Sequence, residues 1–271
     1  MWDNHPPCPL QFTRRATLGA LGAAVVAVLS ACGDPGKPVA SGTDAPFAPE
    51  SATPTATPTA PPKPTFVSDY TLPPVVDGLA PVITKIDTKQ PVVFLTIDDG
   101  NTKTPNELQL LADYDYPCSL FLTKSAIQDK PGFFKDFLGH HCLIENHTIS
   151  HNVNMVKQWG YQQQLNDIAG MQDYAVQQFG RRPVLFRPPG GAYSNAMRAA
   201  VAAAGLKAII TWEAKANAGR MDYQVGNSLR PGDIVLMHFR PEFAADLAAF
   251  RAAQQAAGLH VVLLEDFLGL A

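Results

Sequence analysis

From Phe66 onward the chain alternates short runs of apolar, often β-branched residues with longer stretches whose apolar positions recur at helical spacing. Residues 92–97 (VVFLTI) form an unbroken apolar run, the pattern of a strand buried on both faces. Runs at 118–123, 142–145, 184–186, 207–211, 233–238 and 260–264 predict further strands. Between them, Thr104-Pro105-Asn106-Glu107 reads as a capping box with proline at the first helical position. Tyr161, Leu165, Ile168 and Met171 share a helical face, and Gly180 ends that helix. Residues 194–204 and 241–257 predict two more helices. Repeated strand–helix units imply a parallel α/β sheet covered by helices. About seven units favour a closed or nearly closed β/α barrel over a doubly wound sheet. Both folds bind ligands at the carboxyl ends of their strands, so the polar residues just after each apolar run are the candidates for chemistry.

The first 66 residues follow a different pattern. Arg14 and Arg15 precede an uncharged run, 16–31, that is short for a bilayer span of ~20 apolar residues and suits a signal peptide. It ends in Leu29-Ser30-Ala31-Cys32, resembling a bacterial lipoprotein signal in which Cys32 receives the lipid. An ordinary secretory peptide is the plainer alternative. The arginine pair leaves both the twin-arginine and the general export route open. Residues 33–65 are rich in Pro, Thr and Ala and too poor in large apolar residues to offset the entropy of folding, so they predict an extended tether. The expected organisation is a signal and lipidated cysteine over 1–32, a tether over 33–65 and a catalytic domain over 66–271. The localisation that follows is the outer face of the cytoplasmic membrane, held only by the lipid on Cys32 and facing the wall.

A formal net charge of -3 gives no reason to expect a nucleic-acid partner. Of the four cysteines, Cys118 and Cys142 fall in the exported domain, where either a disulfide or two buried thiols is consistent with the sequence.

Four strand ends carry unusual chemistry. Asp98-Asp99-Gly100 closes the first strand: either a solvated turn, or one carboxylate for a metal and one for a base. His147 and His151 lie four residues apart after the third strand: either two unrelated surface histidines, or a pair on one side of a helical turn if one forms, an arrangement that suits zinc. Arg187-Pro188-Pro189-Gly190-Gly191 follows the fourth strand, and a charged Arg187 at a strand end needs a carboxylate or solvent. His238 closes the sixth, either as a satisfied core residue or as a general acid.

Taken together, T-I-D-D-G, H-T-I-S-H, R-P-P-G-G and L-M-H resemble, in order and approximate spacing, the polysaccharide deacetylase family, also called carbohydrate esterase family 4. The match runs from about Val92 to Leu264. The resemblance implies a distorted (β/α) barrel with Asp99, His147 and His151 as metal ligands. It further implies Asp98 as the base that takes a proton from the attacking water, and His238 as the acid that protonates the departing amine. Arg187 would pair with Asp98 and keep it ionised. The Gly190 N–H would help hold the oxyanion, and Leu236 and Trp212 would form the acetyl pocket, with an ordinary core aromatic the other reading of Trp212. One divalent ion is expected, zinc by default, with cobalt or nickel also suited to such ligands.

Two departures stand out. Gly190 occupies a position that is often aromatic in the family, and the usual Asp-Trp motif is replaced by Thr211-Trp212-Glu213, where Glu213 is the nearest carboxylate to substitute. The expected activity is removal of N-acetyl groups from amino sugars of a wall polysaccharide, peptidoglycan first, by a monomer. An O-acetyl esterase acting on a polymer such as xylan, and a non-catalytic sugar-binding lipoprotein, remain alternatives.

Overall fold

The computed structural model describes residues 64–271. The expected signal peptide with Cys32, and the tether up to residue 63, lie outside the described residues. No helix among those described is long and apolar enough to cross a membrane.

The predicted alternation folds as an α/β half-barrel. The strands are β1 (Val82–Ile83), β2 (Val92–Asp99), β3 (Cys118–Leu122), β4 (Cys142–Asn146), β5 (Leu185–Phe186), β6 (Ala208–Ile210), β7 (Ala214–Asn217), β8 (Arg220–Tyr223), β9 (Ile234–His238) and β10 (His260–Val261). Their order is β1-β6-β5-β4-β3-β2-β9-β7-β8. Every pairing is parallel except that of β7 with β8. The barrel is distorted because β1 pairs only with β6 and β8 only with β7. β10 does not add a stave to that order. It pairs with Val92 and Val93 at the start of β2, below the point where β9 takes over at Phe94. The predicted strand 260–264 is thus too long, since Leu264 opens a short helix, α8 (Leu264–Phe267).

All eight residues of β2 are buried, as its continuous apolar run requires. Alternation sends Val92 and Phe94 to one face, where they pack with Phe121, Leu185, Ala208, Ile210 and Phe267. Val93, Leu95 and Ile97 face the other way, toward the covering helices. Those helices include α1 (Pro105–Tyr114), α3 (Gly132–Leu138), which follows the four-residue α2 (Lys124–Ile127), and α7 (Phe243–Ala256). The predicted start of α1 is present: the Glu107 carboxylate reaches back to accept from the Thr104 N–H at 2.9 Å. The helix α5 (Tyr161–Phe179), preceded by α4 (Met155–Gln158), ends at Gly180 with φ +74°. Ser194 caps α6 (Asn195–Ala203), its hydroxyl accepting from the Met197 N–H.

Cys118 and Cys142 face each other directly across β3 and β4. Both are buried free thiols, with sulfurs 2.9 Å apart. Burial, and then the neighbouring Cys142, push the Cys118 thiol well above its ordinary pKa.

Candidate active site

A regular strand would send Asp98 and Asp99 to opposite faces of the sheet. Asp99 breaks that rule by taking φ +75° at the end of β2, a conformation that costs a non-glycine residue about 1–3 kcal/mol. Both carboxylates then reach the same imidazole: His147 Nε2 lies 3.7 Å from Asp98 Oδ2 and 3.5 Å from Asp99 Oδ1. Thr148 and His151 also sit at positive φ, +74° and +56°. That segment is held in shape by its own polar groups. The Asn146 side chain accepts from the Thr148 N–H, and the Thr148 hydroxyl accepts from the His151 N–H. The expectation that both imidazoles lie on one side holds, but they do so on a strained loop rather than a helical turn. His151 Nε2 approaches Asp99 Oδ1 to 3.0 Å.

The ligand atoms of Asp99, His147 and His151 all lie within 4.8 Å of one another. Asp99 Oδ1 is buried yet accepts no well-formed hydrogen bond, even with two imidazole nitrogens close by. Converging donors around an orphaned carboxylate oxygen fit a divalent cation better than a hydrogen-bond network. The tautomer fits as well: His147 Nδ1 lies 2.7 Å from the Arg187 carbonyl, which calls for a proton on Nδ1 and leaves the Nε2 lone pair toward the cluster. Two nitrogens and one carboxylate oxygen are a donor set suited to zinc. Burial works against a charge on Asp99, but contacts with His147 and His151 outweigh it, so its pKa is well below the usual carboxylate range. Asp99 in turn raises the pKa of His151 against the effect of burial.

Asp98 is fixed from behind. Arg187 Nη1 donates to its Oδ1 at 2.7 Å and also to the Thr96 hydroxyl at 2.7 Å. The same guanidinium donates to the carbonyls of Ile210 and Thr211 and lies 4.3 Å over the Phe121 ring. Arg187 is 0% exposed, so its charge depends on these partners. Glu213 does not take the place of the missing aspartate. It turns away to pair with Arg230 at 2.6 Å, and Thr96 with the two carbonyls supplies the support instead.

His238 is the direct cross-strand neighbour of Asp98, one strand over on β9. Burial disfavours its charged form and outweighs the pull of Asp98 and Asp99, so its pKa falls below the ordinary histidine value.

These groups line a cleft of about 290 Å³ with Val153, Pro188, Gly190, Trp212, Lys215, Asn217, Leu236 and Arg240. Gly190 has φ +70°, and a Cβ there would sit 3.3 Å from that of Val153. Val153 thus occupies part of the space an aromatic side chain at position 190 would claim. Gly191 has no room either, because a Cβ would come 2.7 Å from the Trp212 ring. The structure therefore brings Asp98, Asp99, His147, His151, Gly190, Trp212, Leu236 and His238 together, with Arg187 directly behind. The sequence reading missed Thr96, Val153, Lys215, Asn217 and Arg240. Thr96 and Arg240 sit inside or beside recognised motifs, whereas the hairpin residues and Val153 carry no pattern of their own.

A family model described as polysaccharide deacetylase matches residues 85–209. The chain is 34% identical over 196 residues to an uncharacterised protein of Streptomyces coelicolor, covering 70% of this chain and 78% of that one. It is 27% identical over 198 residues to the peptidoglycan-N-acetylglucosamine deacetylase of Bacillus cereus, covering 68% and 91%. Among solved structures it resembles a CE4 family pseudoenzyme of Bacillus anthracis, with TM-score 0.61, 20% identity and coverage of 71% and 70%. A likeness at that identity shows the fold alone.

Proposed function

The chain belongs to the polysaccharide deacetylase family and is a hydrolase of that class; from this premise we propose that it removes N-acetyl groups from amino sugars of a cell-wall polysaccharide, peptidoglycan, using one divalent metal ion. The observation that carries this reading is the orphaned Oδ1 of Asp99 amid two imidazoles, beside a second carboxylate anchored on a buried arginine.

Asp99, His147 and His151 would hold the ion, zinc by its donor set, with cobalt or nickel as alternatives. When bound, the ion supplies a Lewis acid for the acetyl carbonyl and lowers the pKa of water. Asp98 has its Oδ1 committed to Arg187, so Oδ2 is the oxygen that takes the proton from the attacking water. The Gly190 N–H donates to the oxyanion as the carbonyl becomes tetrahedral. His238, beside Asp98 on the next strand, delivers a proton to the departing amine nitrogen from its imidazolium form, which its lowered pKa leaves as the minor form at neutral pH. Leu236 and Trp212 bracket the acetyl methyl in the apolar part of the cleft.

The name of the Bacillus cereus relative supports an amino sugar of the wall over an ester of xylan. In the same reading, a lipid on Cys32 and the Pro/Thr-rich segment hold the enzyme as a monomer on the outer face of the membrane, within reach of the wall. The test is acetate release from N-acetylglucosamine oligomers, peptidoglycan and acetylxylan, beside an Asp98→Asn control. Release from the first two that the control lacks supports the amidase. Preference for acetylxylan would shift the reading to an esterase, and no release from any substrate would overturn it.

A further inference from the structure

One wall of the cleft has chemistry that hydrolysis of a neutral acetamide does not use. Lys215 and Asn217 project into it from β7, and Arg240 from the turn two residues beyond His238. Arg240 Nη1 donates to Asn217 Oδ1 at 3.3 Å, a neutral partner that orients the guanidinium without neutralising it. Among the described residues, no carboxylate lies within ion-pair distance of Arg240. The fully buried arginine behind the cleft is committed, since Arg187 pairs with Asp98. Lys215 makes only a loose pair with Asp222, 3.6 Å apart and open to solvent. Arg240 lines the same cleft as His151 and His238. The site's own negative charges already have counterparts, Asp98 in Arg187 and Asp99 in the cation its orphaned oxygen calls for. A half-buried, oriented guanidinium left over in a substrate cleft is a donor for a planar anion, which it can meet with two parallel hydrogen bonds.

We propose that Arg240, with Asn217 and Lys215, forms a carboxylate-recognition subsite in this cleft, so that the preferred substrate is an N-acetylated sugar with a carboxylate on itself or on the adjoining sugar. This inference rests on the deacetylase reading above. Two sources supply this carboxylate chemistry: a lactyl ether on the acetylated sugar, as in N-acetylmuramic acid, and a uronic acid next to it in the glycan.

The experiment uses the full chain and four glycans of matched length. They are neutral N-acetylglucosamine oligomers, peptidoglycan strands with free lactyl carboxylates, the same strands with those carboxylates reduced to alcohols, and a glycan alternating N-acetylglucosamine with glucuronate. Acetate release is measured for the unaltered chain, Arg240→Gln and Arg240→Lys. A charge-assisted pair in a cleft predicts that kcat/KM for one acidic glycan exceeds its neutral counterpart by about ten- to a hundredfold, mainly through KM. Arg240→Gln should bring that preference close to one, and Arg240→Lys should restore part of it. Whichever acidic glycan shows the preference identifies the source of the carboxylate. Equal kcat/KM on acidic and neutral glycans, or a preference that survives Arg240→Gln, overturns the subsite. Calorimetric binding of the four glycans separates the two readings if no acetate is released. Tighter binding of the free strands or of the glucuronate glycan than of their neutral counterparts, abolished by Arg240→Gln, upholds the subsite while the deacetylase reading fails, and equal binding of all four glycans removes both.

Discussion

Arg187 and Asp98 are both almost wholly enclosed, and each is the main charge partner of the other. Removing one partner leaves an uncompensated buried charge, which typically costs about 3–5 kcal/mol, whereas removing both is far cheaper. Asp98→Asn is therefore expected to lower stability as well as to abolish acetate release. Urea unfolding of Asp98→Asn, Arg187→Met and the double variant should show the double less destabilised than the sum of the singles. Additive losses would mean that the pair is not the source of the cost. A second buried carboxyl, Glu265, accepts from the Ser119 hydroxyl at 2.7 Å. Burial, and then the charge of Glu145, push its pKa well above the usual range. The folded chain therefore keeps this proton at pH values where the unfolded chain, titrating near ~4.3, has lost it. With more protons bound in the folded state, stability falls as pH rises from there toward the folded pKa. Glu265→Gln should flatten that decline, seen in urea midpoints between about pH 4 and pH 8, and an unchanged slope would contradict the assignment. At this scale the sequence was most informative where residue type and strand end coincide, as at Asp98, Asp99, His147, His151 and His238. It was silent on Thr96 as an arginine partner because a threonine inside an apolar strand looks like ordinary β filling. It misdirected at Glu213, because proximity along the chain does not say that Arg230 will capture the carboxylate first.

The elements that carry the site depend on a few backbone positions. Gly232 precedes β9 at φ +82°, with its N–H donating to Val92 and its carbonyl accepting from Ile86. A Cβ there would lie 1.8 Å from the Ile86 carbonyl oxygen. Gly205 has a similar φ of +84°, but nothing lies within 4 Å of its missing Cβ. Gly205→Ala should thus cost roughly 1 kcal/mol of backbone strain, and Gly232→Ala about 3 kcal/mol or more. Thermal unfolding of the two variants checks this contrast, and equal losses would contradict the clash. The long buried strands and amphipathic helices were legible because their periods are strong over many residues. The β7–β8 hairpin was not, since Ala214-Lys215-Ala216-Asn217 has little β propensity and is a strand only because β9 offers it an edge. That omission also hid Lys215 and Asn217. The excess length predicted for the last strand has the converse cause: apolar residues after Val261 look like a strand but are buried by α8 instead.

At the scale of the whole molecule, the half-barrel gathers residues from Thr96 to Arg240 at one rim. The alternation of elements was enough to anticipate a barrel, but not the unpaired edges at β1 and β8, which depend on long-range pairing rather than local pattern. The same fold is shared with a chain described as a pseudoenzyme, so activity here rests on the rim residues and not on the architecture. Asp99, His147 and His151 are proposed to hold a divalent ion that hydrolysis requires. The most direct measurement follows bound metal and acetate release on one sample of the full chain through chelation and zinc addition, beside His147→Ala. The expected result is one ion per chain, loss of both signals together on chelation, return of both with zinc, and neither in His147→Ala. Undiminished acetate release from a chain shown to be free of metal, or one tightly bound ion retained by His147→Ala, would contradict it.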